Sequence, residues 1–75
     1  MSKLYSSRDV EYVLRKLNFH FISQRGSHGK YKNEKGYIAI LPMNKKEIPV
    51  GTFRSILKQM RIGLEEFEVI SKNWT

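Results

Sequence analysis

RGSHGKYKNEKGYIAI, residues 25–40, is the stretch on which the fold turns. Gly26-Ser27 interrupts a preceding run, Phe19-His20-Phe21-Ile22-Ser23, whose aromatic and β-branched residues read as a strand. His28 to Asn33 then forms a second strand. Past Asn33-Glu34-Lys35-Gly36 the run Tyr37-Ile38-Ala39-Ile40-Leu41 forms a third. A four-residue connection ending in glycine suits a hairpin loop, because glycine takes positive φ without steric penalty. Pro42 has no N–H to give to a ladder, so it closes the third strand.

Helices flank this sheet. Ser6 is the expected N-cap of the first, with Asp9 three residues on. Val10, Val13, Leu14 and Leu17 then recur at i, i+3, i+4 and i+7, a single apolar stripe over residues 7–17 that Asn18 stops. Pro49 suits the first turn of a second helix, and Phe53, Ile56, Leu57 and Met60 repeat the stripe. Gly63 ends that helix or caps a short third one, Leu64 to Ile70. Trp74 either returns to the core or lies on an exposed patch. The predicted class is α+β: helix, three-stranded antiparallel sheet, helix, with a short helix appended. Two helices cover one face of such a sheet, which leaves the other face open.

The totals constrain the rest. Seventy-five residues make one domain, 1–75, with a thin core. No cysteine is present, which excludes disulfides and thiolate chemistry and fits a cytoplasmic setting. No secretory leader or bilayer-length apolar run is visible, so no membrane is expected. Fourteen Lys and Arg stand against seven Asp and Glu, a net charge of +7. From Arg15 to Arg61 there are eleven bases and two acids, Glu34 and Glu47. Such a concentration favours a polyanionic partner, nucleic acid above all.

Alternation along the second strand places His28, Lys30 and Lys32 on one face and Gly29, Tyr31 and Asn33 on the other. Tyr31 belongs to the core, so the His28 row looks outward. Gly26 and Gly29 let a ribose or phosphate approach the backbone. His20 pairs near Lys32, roughly 13 Å from His28, and is expected to be a half-buried strand residue. On the second helix Arg54, Lys58 and Arg61 share a polar face, and Gly51 and Thr52 lie in a first turn whose free N–H groups suit an anion. Two distant histidines without clustered carboxylates make no usable ligand set, so neither metal nor cofactor is expected.

These residues resemble a known family. RGSHGKY, then LPMNKKEIPVGTFRSILKQM, then LEEF are similar to the HicA toxins, small bacterial mRNA interferases, over nearly the whole chain. The resemblance implies a fold like a double-stranded-RNA-binding domain, α-β-β-β-α. It also implies RNA cleavage without a metal, with the histidine of Gly26-Ser27-His28 as the catalytic residue, and a HicB-type antitoxin that covers the site. Together with the strand alternation and helix spacing above, this makes Gly26, Ser27, Lys30, Lys32, Arg54 and Lys58 the candidate RNA contacts. The free chain is expected to be a monomer that forms a hetero-oligomer with its antitoxin. Two positions depart from the family pattern. Many members carry a second histidine where this chain has Gly29, and another where it has Asn44. The expected chemistry is attack of a ribose 2′-OH, deprotonated by His28, on the adjacent phosphorus. The competing reading is a non-catalytic module for structured RNA.

Overall fold

The computed structural model describes residues 3–73, so Trp74 lies outside the described residues. The element order is α1 (Ser7–Lys16), β1 (His20–Arg25), β2 (His28–Lys32), β3 (Ile38–Pro42), α2 (Val50–Met60) and α3 (Leu64–Ser71). The strands form one antiparallel sheet in the order β1-β2-β3. This is the α+β layout of a double-stranded-RNA-binding domain with a short helix added.

Local chemistry explains the boundaries. The Asp9 N–H donates to Ser6 Oγ at 3.1 Å and the Ser6 N–H donates to Asp9 Oδ2 at 2.9 Å, a reciprocal capping box. At the other end of α1, Asn18 turns left-handed (φ 65). The Asn18 and Phe19 N–H groups donate to the carbonyls of Arg15 and Leu14, a Schellman motif that buries Phe19 against Leu14. α2 ends the same way at Arg61 (φ 64), whose guanidinium lies 4.4 Å from the Tyr37 ring centroid. Gly63 caps α3 instead of ending α2. Between β2 and β3, Gly36 (φ 89) takes the turn that the loop requires.

The core lies between the sheet and the helices. α2 packs along β3, while α1 packs against β3 and α3. Ala39 and Leu41 are fully buried, whereas Ile38 is 40% exposed. Tyr5, Phe53 and Phe67 form an aromatic trio with centroid separations of 5.1, 4.8 and 4.9 Å. Phe67 thereby ties α3 to the rest of the domain. All six residues of β1 are exposed, so His20 is exposed and not half-buried as its strand position suggested. It sits on an edge strand of the sheet. A bulge between Phe21 and Ser23 keeps the outward rows aligned beyond it.

Tyr31 stands at the centre of the core face and is fully buried. Its hydroxyl donates to Glu11 Oε2, and Arg15 donates to the same oxygen at 3.3 Å. Burial, followed by the hydrogen bond and negative charge of Glu11, pushes the Tyr31 phenol well above its ordinary range. The native chain therefore keeps this proton where an unfolded tyrosine releases it, near pH 10. That contribution to stability is complete below pH about 10 and is lost as pH rises further. The expected result is that the wild-type unfolding midpoint falls more steeply above pH about 10 than that of Tyr31→Phe. Thermal melts of both proteins between pH 7 and 11 check this.

Candidate functional site

The β1–β2 connection is two residues long, with Gly26 (φ 58) at the first central position, where a type II′ hairpin demands a positive φ. The Gln24 side-chain amide donates to the Gly26 carbonyl at 2.9 Å. The Met43 N–H donates to the Ser27 carbonyl at 2.7 Å, which ties the turn to the chain leaving β3. His28 is the first residue of β2, at this anchored corner.

Three cross-strand rows face away from the helices. Arg25, His28 and Pro42 form one, Ser23, Lys30 and Ile40 the next, and His20, Lys32 and Ile38 the last. The side chains on the first two rows line a groove of about 520 Å³ containing Ser23, Arg25, His28, Lys30 and Ile40. A second groove, of about 420 Å³, runs between β3 and α2. His28 and Ile40 line it from the sheet, Thr52, Ser55 and Gln59 from the helix, and Lys45 from the connecting loop. His28 therefore stands where two grooves meet. Arg25, Lys30 and Lys45 bring three cations to their walls, and among the described residues no carboxylate lines either one.

Ser7 builds the loop side. Its buried hydroxyl donates to the Pro42 carbonyl at 2.5 Å and accepts from the Lys45 N–H at 2.9 Å. The Ser7 N–H donates to the Lys45 carbonyl, also at 2.9 Å. Lys45 is thus clamped through its backbone while its side chain lines the groove. Ser7→Ala would orphan two of these groups and is expected to cost about 1–3 kcal/mol. Chemical denaturation measures the loss.

On the helix side, Gln59 Oε1 accepts the Ile40 N–H at 2.8 Å, which occupies part of the outer edge of β3 and holds α2 beside His28. Pro49 and Thr52 at the start of α2 line the same groove, and this helix has no side-chain cap. Its first-turn N–H groups and positive dipole end add to the field there.

The structure brings together only part of what was expected of the sequence. Ser27, His28 and Lys30 line the grooves. Lys32 is on the same face but at its far end, paired with His20. Gly26 shapes the turn without lining either groove. Arg54 and Lys58 are exposed on another side of α2 and line neither. Arg25, Lys45, Ser55 and Gln59 were not anticipated. The spacing of Thr52, Ser55 and Gln59, at i, i+3 and i+7, was the available signal: an uncharged polar ridge bordering the apolar stripe.

The two departures have structural explanations. Gly29 faces the helices, and a Cβ there would come within 2.9 Å of Met43 Sδ and 3.4 Å of the Tyr31 ring. A side chain at position 29 would therefore not join His28 on the open face. Asn44 lines a separate recess beside α1. Among the described residues, no three His, Asp or Glu side chains gather into a set that could hold a metal ion.

Comparison with known proteins places this architecture. No curated protein matches the chain. A family model described as "HicA toxin of bacterial toxin-antitoxin" matches residues 7–62, from the start of α1 through the end of α2, a span that contains every residue lining the two grooves. The chain belongs to the HicA toxin family of bacterial toxin–antitoxin pairs.

Proposed function

We propose that this toxin is an endoribonuclease that cuts mRNA by transesterification, with His28 as its general base. The observation that carries the reading is the place of His28, an imidazole at the junction of two grooves walled, among the described residues, by three cations and no carboxylate. RNA lies along the open face with a phosphate at that junction. His28 takes the proton of the adjacent ribose 2′-OH, and the 2′-oxygen forms a bond to phosphorus. The P–O5′ bond breaks and the 5′-oxygen acquires a proton from water. Lys30 and Arg25 on one side, and the N-terminal end of α2 on the other, stabilise the negative charge that collects on the phosphorane oxygens. No step requires a metal.

The products are a 2′,3′-cyclic phosphate and a 5′-hydroxyl. End-group analysis of the earliest products, formed in excess EDTA, tests the mechanism. Cyclic phosphate appearing first supports it, whereas 5′-phosphate ends would rule it out.

A binding module that cuts nothing is the second reading, favoured by one observation. Among the described residues, the grooves hold a single imidazole and no second side chain suited to proton transfer near neutral pH. On that reading His28→Ala changes RNA affinity little and no cleavage is found in either protein. Under both readings the basic face is where a HicB-type antitoxin docks, since acidic groups laid across it compete directly with phosphate. The free toxin is read as a monomer of the cytoplasm. No helix among the described residues is long and apolar enough to cross a membrane.

A further inference from the structure

The recess that holds Asn44 belongs to neither groove. It has a volume of about 360 Å³ and lies between the first turns of α1 and the loop after β3. Arg8 and Glu11 line it from the helix, and Met43, Asn44 and Lys45 from the loop. Lys45 also lines the groove beside His28, so the two spaces share one wall. We propose that this recess is a nucleobase subsite, which takes an amino-bearing base (guanine, adenine or cytosine) in preference to uracil from RNA whose phosphate lies at Lys45. The proposal rests on the ribonuclease reading and adds a source of sequence preference to it.

The chemistry of the lining supports a base over a second phosphate. Ligand recesses combine an apolar surface with a few convergent polar groups. Here Met43 is half-buried, packed on the core and seated over Gly29, and supplies a polarisable thioether against which a planar ring can lie. Asn44 offers both a carbonyl and an amide N–H, and Arg8 offers donors. Arg8, Lys45 and Lys46 would also attract a phosphate, but Glu11 adds an acceptor that the N–H groups of a base can use and a phosphate cannot. Glu11 Oε2 is taken by Tyr31 and Arg15, which leaves Oε1 as the accepting atom. Single-stranded RNA is read on such splayed base edges. Guanine, adenine and cytosine each present an amino N–H to an acceptor. Uracil presents one N–H flanked by two carbonyls, which sets acceptors against the carboxylate.

Asn44 provides a variant with little folding risk. Its backbone is left-handed (φ 61), a conformation that glycine adopts freely, so Asn44→Gly removes the amide without straining the loop. The experiment is an NMR titration of the wild type and Asn44→Gly with the non-cleavable 2′-deoxy dinucleotides GpU, UpG and UpU. It follows the Met43 methyl, the Asn44 side-chain amide, and the Thr52, Ser55 and Gln59 signals. The expected result is that a guanine-containing dinucleotide moves both groups of signals and binds more tightly than UpU. Asn44→Gly should weaken that binding about two- to tenfold while the α2 signals still respond. Response at Thr52, Ser55 and Gln59 with none at Met43 would overturn the subsite and leave the nuclease reading intact. Equal affinity for UpU would overturn the base preference. No response anywhere would overturn both the subsite and the RNA reading beneath it.

Discussion

His28→Ala is expected to lower the rate of RNA cleavage by about 10²- to 10⁴-fold, the range that a positioned general base supplies. The fold should survive the change. His28 is exposed, at the first position of its strand, and among the described residues its side chain makes no hydrogen bond, so truncation leaves its backbone pairing in place. Affinity for RNA should change little, because Arg25, Lys30 and Lys45 and the end of α2 remain to attract phosphate. Single-turnover kinetics on a short RNA, with circular dichroism and binding measured on the same preparation, separate chemistry from folding and affinity. A loss of cleavage matched by an equal loss of binding would assign His28 to substrate capture instead.

Phe53→Ala should be the most damaging core change for stability. Phe53 is 1% exposed on α2 and its ring meets both Tyr5 and Phe67, so one side chain joins the N-terminal segment, α2 and α3. A buried Phe→Ala truncation costs about 3–5 kcal/mol, of which the aromatic contacts supply part. A domain of this length has about 4–11 kcal/mol in total at 0.05–0.15 kcal/mol per residue. The variant should therefore lose a large share of its stability, and its thermal transition should move down by tens of degrees or vanish. A shift of only a few degrees would mean that the trio contributes far less than its burial indicates. RNA cleavage should fall with the folded fraction, since Pro49, Thr52 and Gln59 depend on α2 for their place beside His28.

What was legible in the sequence was mostly local. The Ser6–Asp9 capping box, the Asn18 stop and the Gly26-Ser27 turn each lie within a few residues of the groups they satisfy, and each is found in the structure. The alternation of His28, Lys30 and Lys32 against Tyr31 was equally plain, because one row is charged and the other carries the buried ring. β3 shows the opposite case. Ile38 and Ile40 are as apolar as Ala39 and Leu41, and only the helices' choice of face decides between the rows. The site divided in the same way. Parity within one strand put His28 and Lys30 on the face that the grooves occupy. Lys45 was missed, since the Ser7 clamp that holds it joins residues 38 apart in the chain. Arg54 and Lys58 drew attention as cations at helical spacing, yet α2 turns its uncharged ridge of Thr52, Ser55 and Gln59 toward His28. Tertiary placement, which spacing alone does not reveal, decides which residues line the grooves.

The central claim is that one histidine of the two, His28, does the chemistry. Its most direct test is cleavage of a purified mRNA in EDTA by wild type, His28→Ala and His20→Ala, with all three checked for folding and RNA binding. His20 lies at the other end of the open face, beside Lys32. The account predicts near wild-type cutting by His20→Ala, and bound but uncut RNA with His28→Ala. Cutting by folded His28→Ala at the wild-type rate would contradict it.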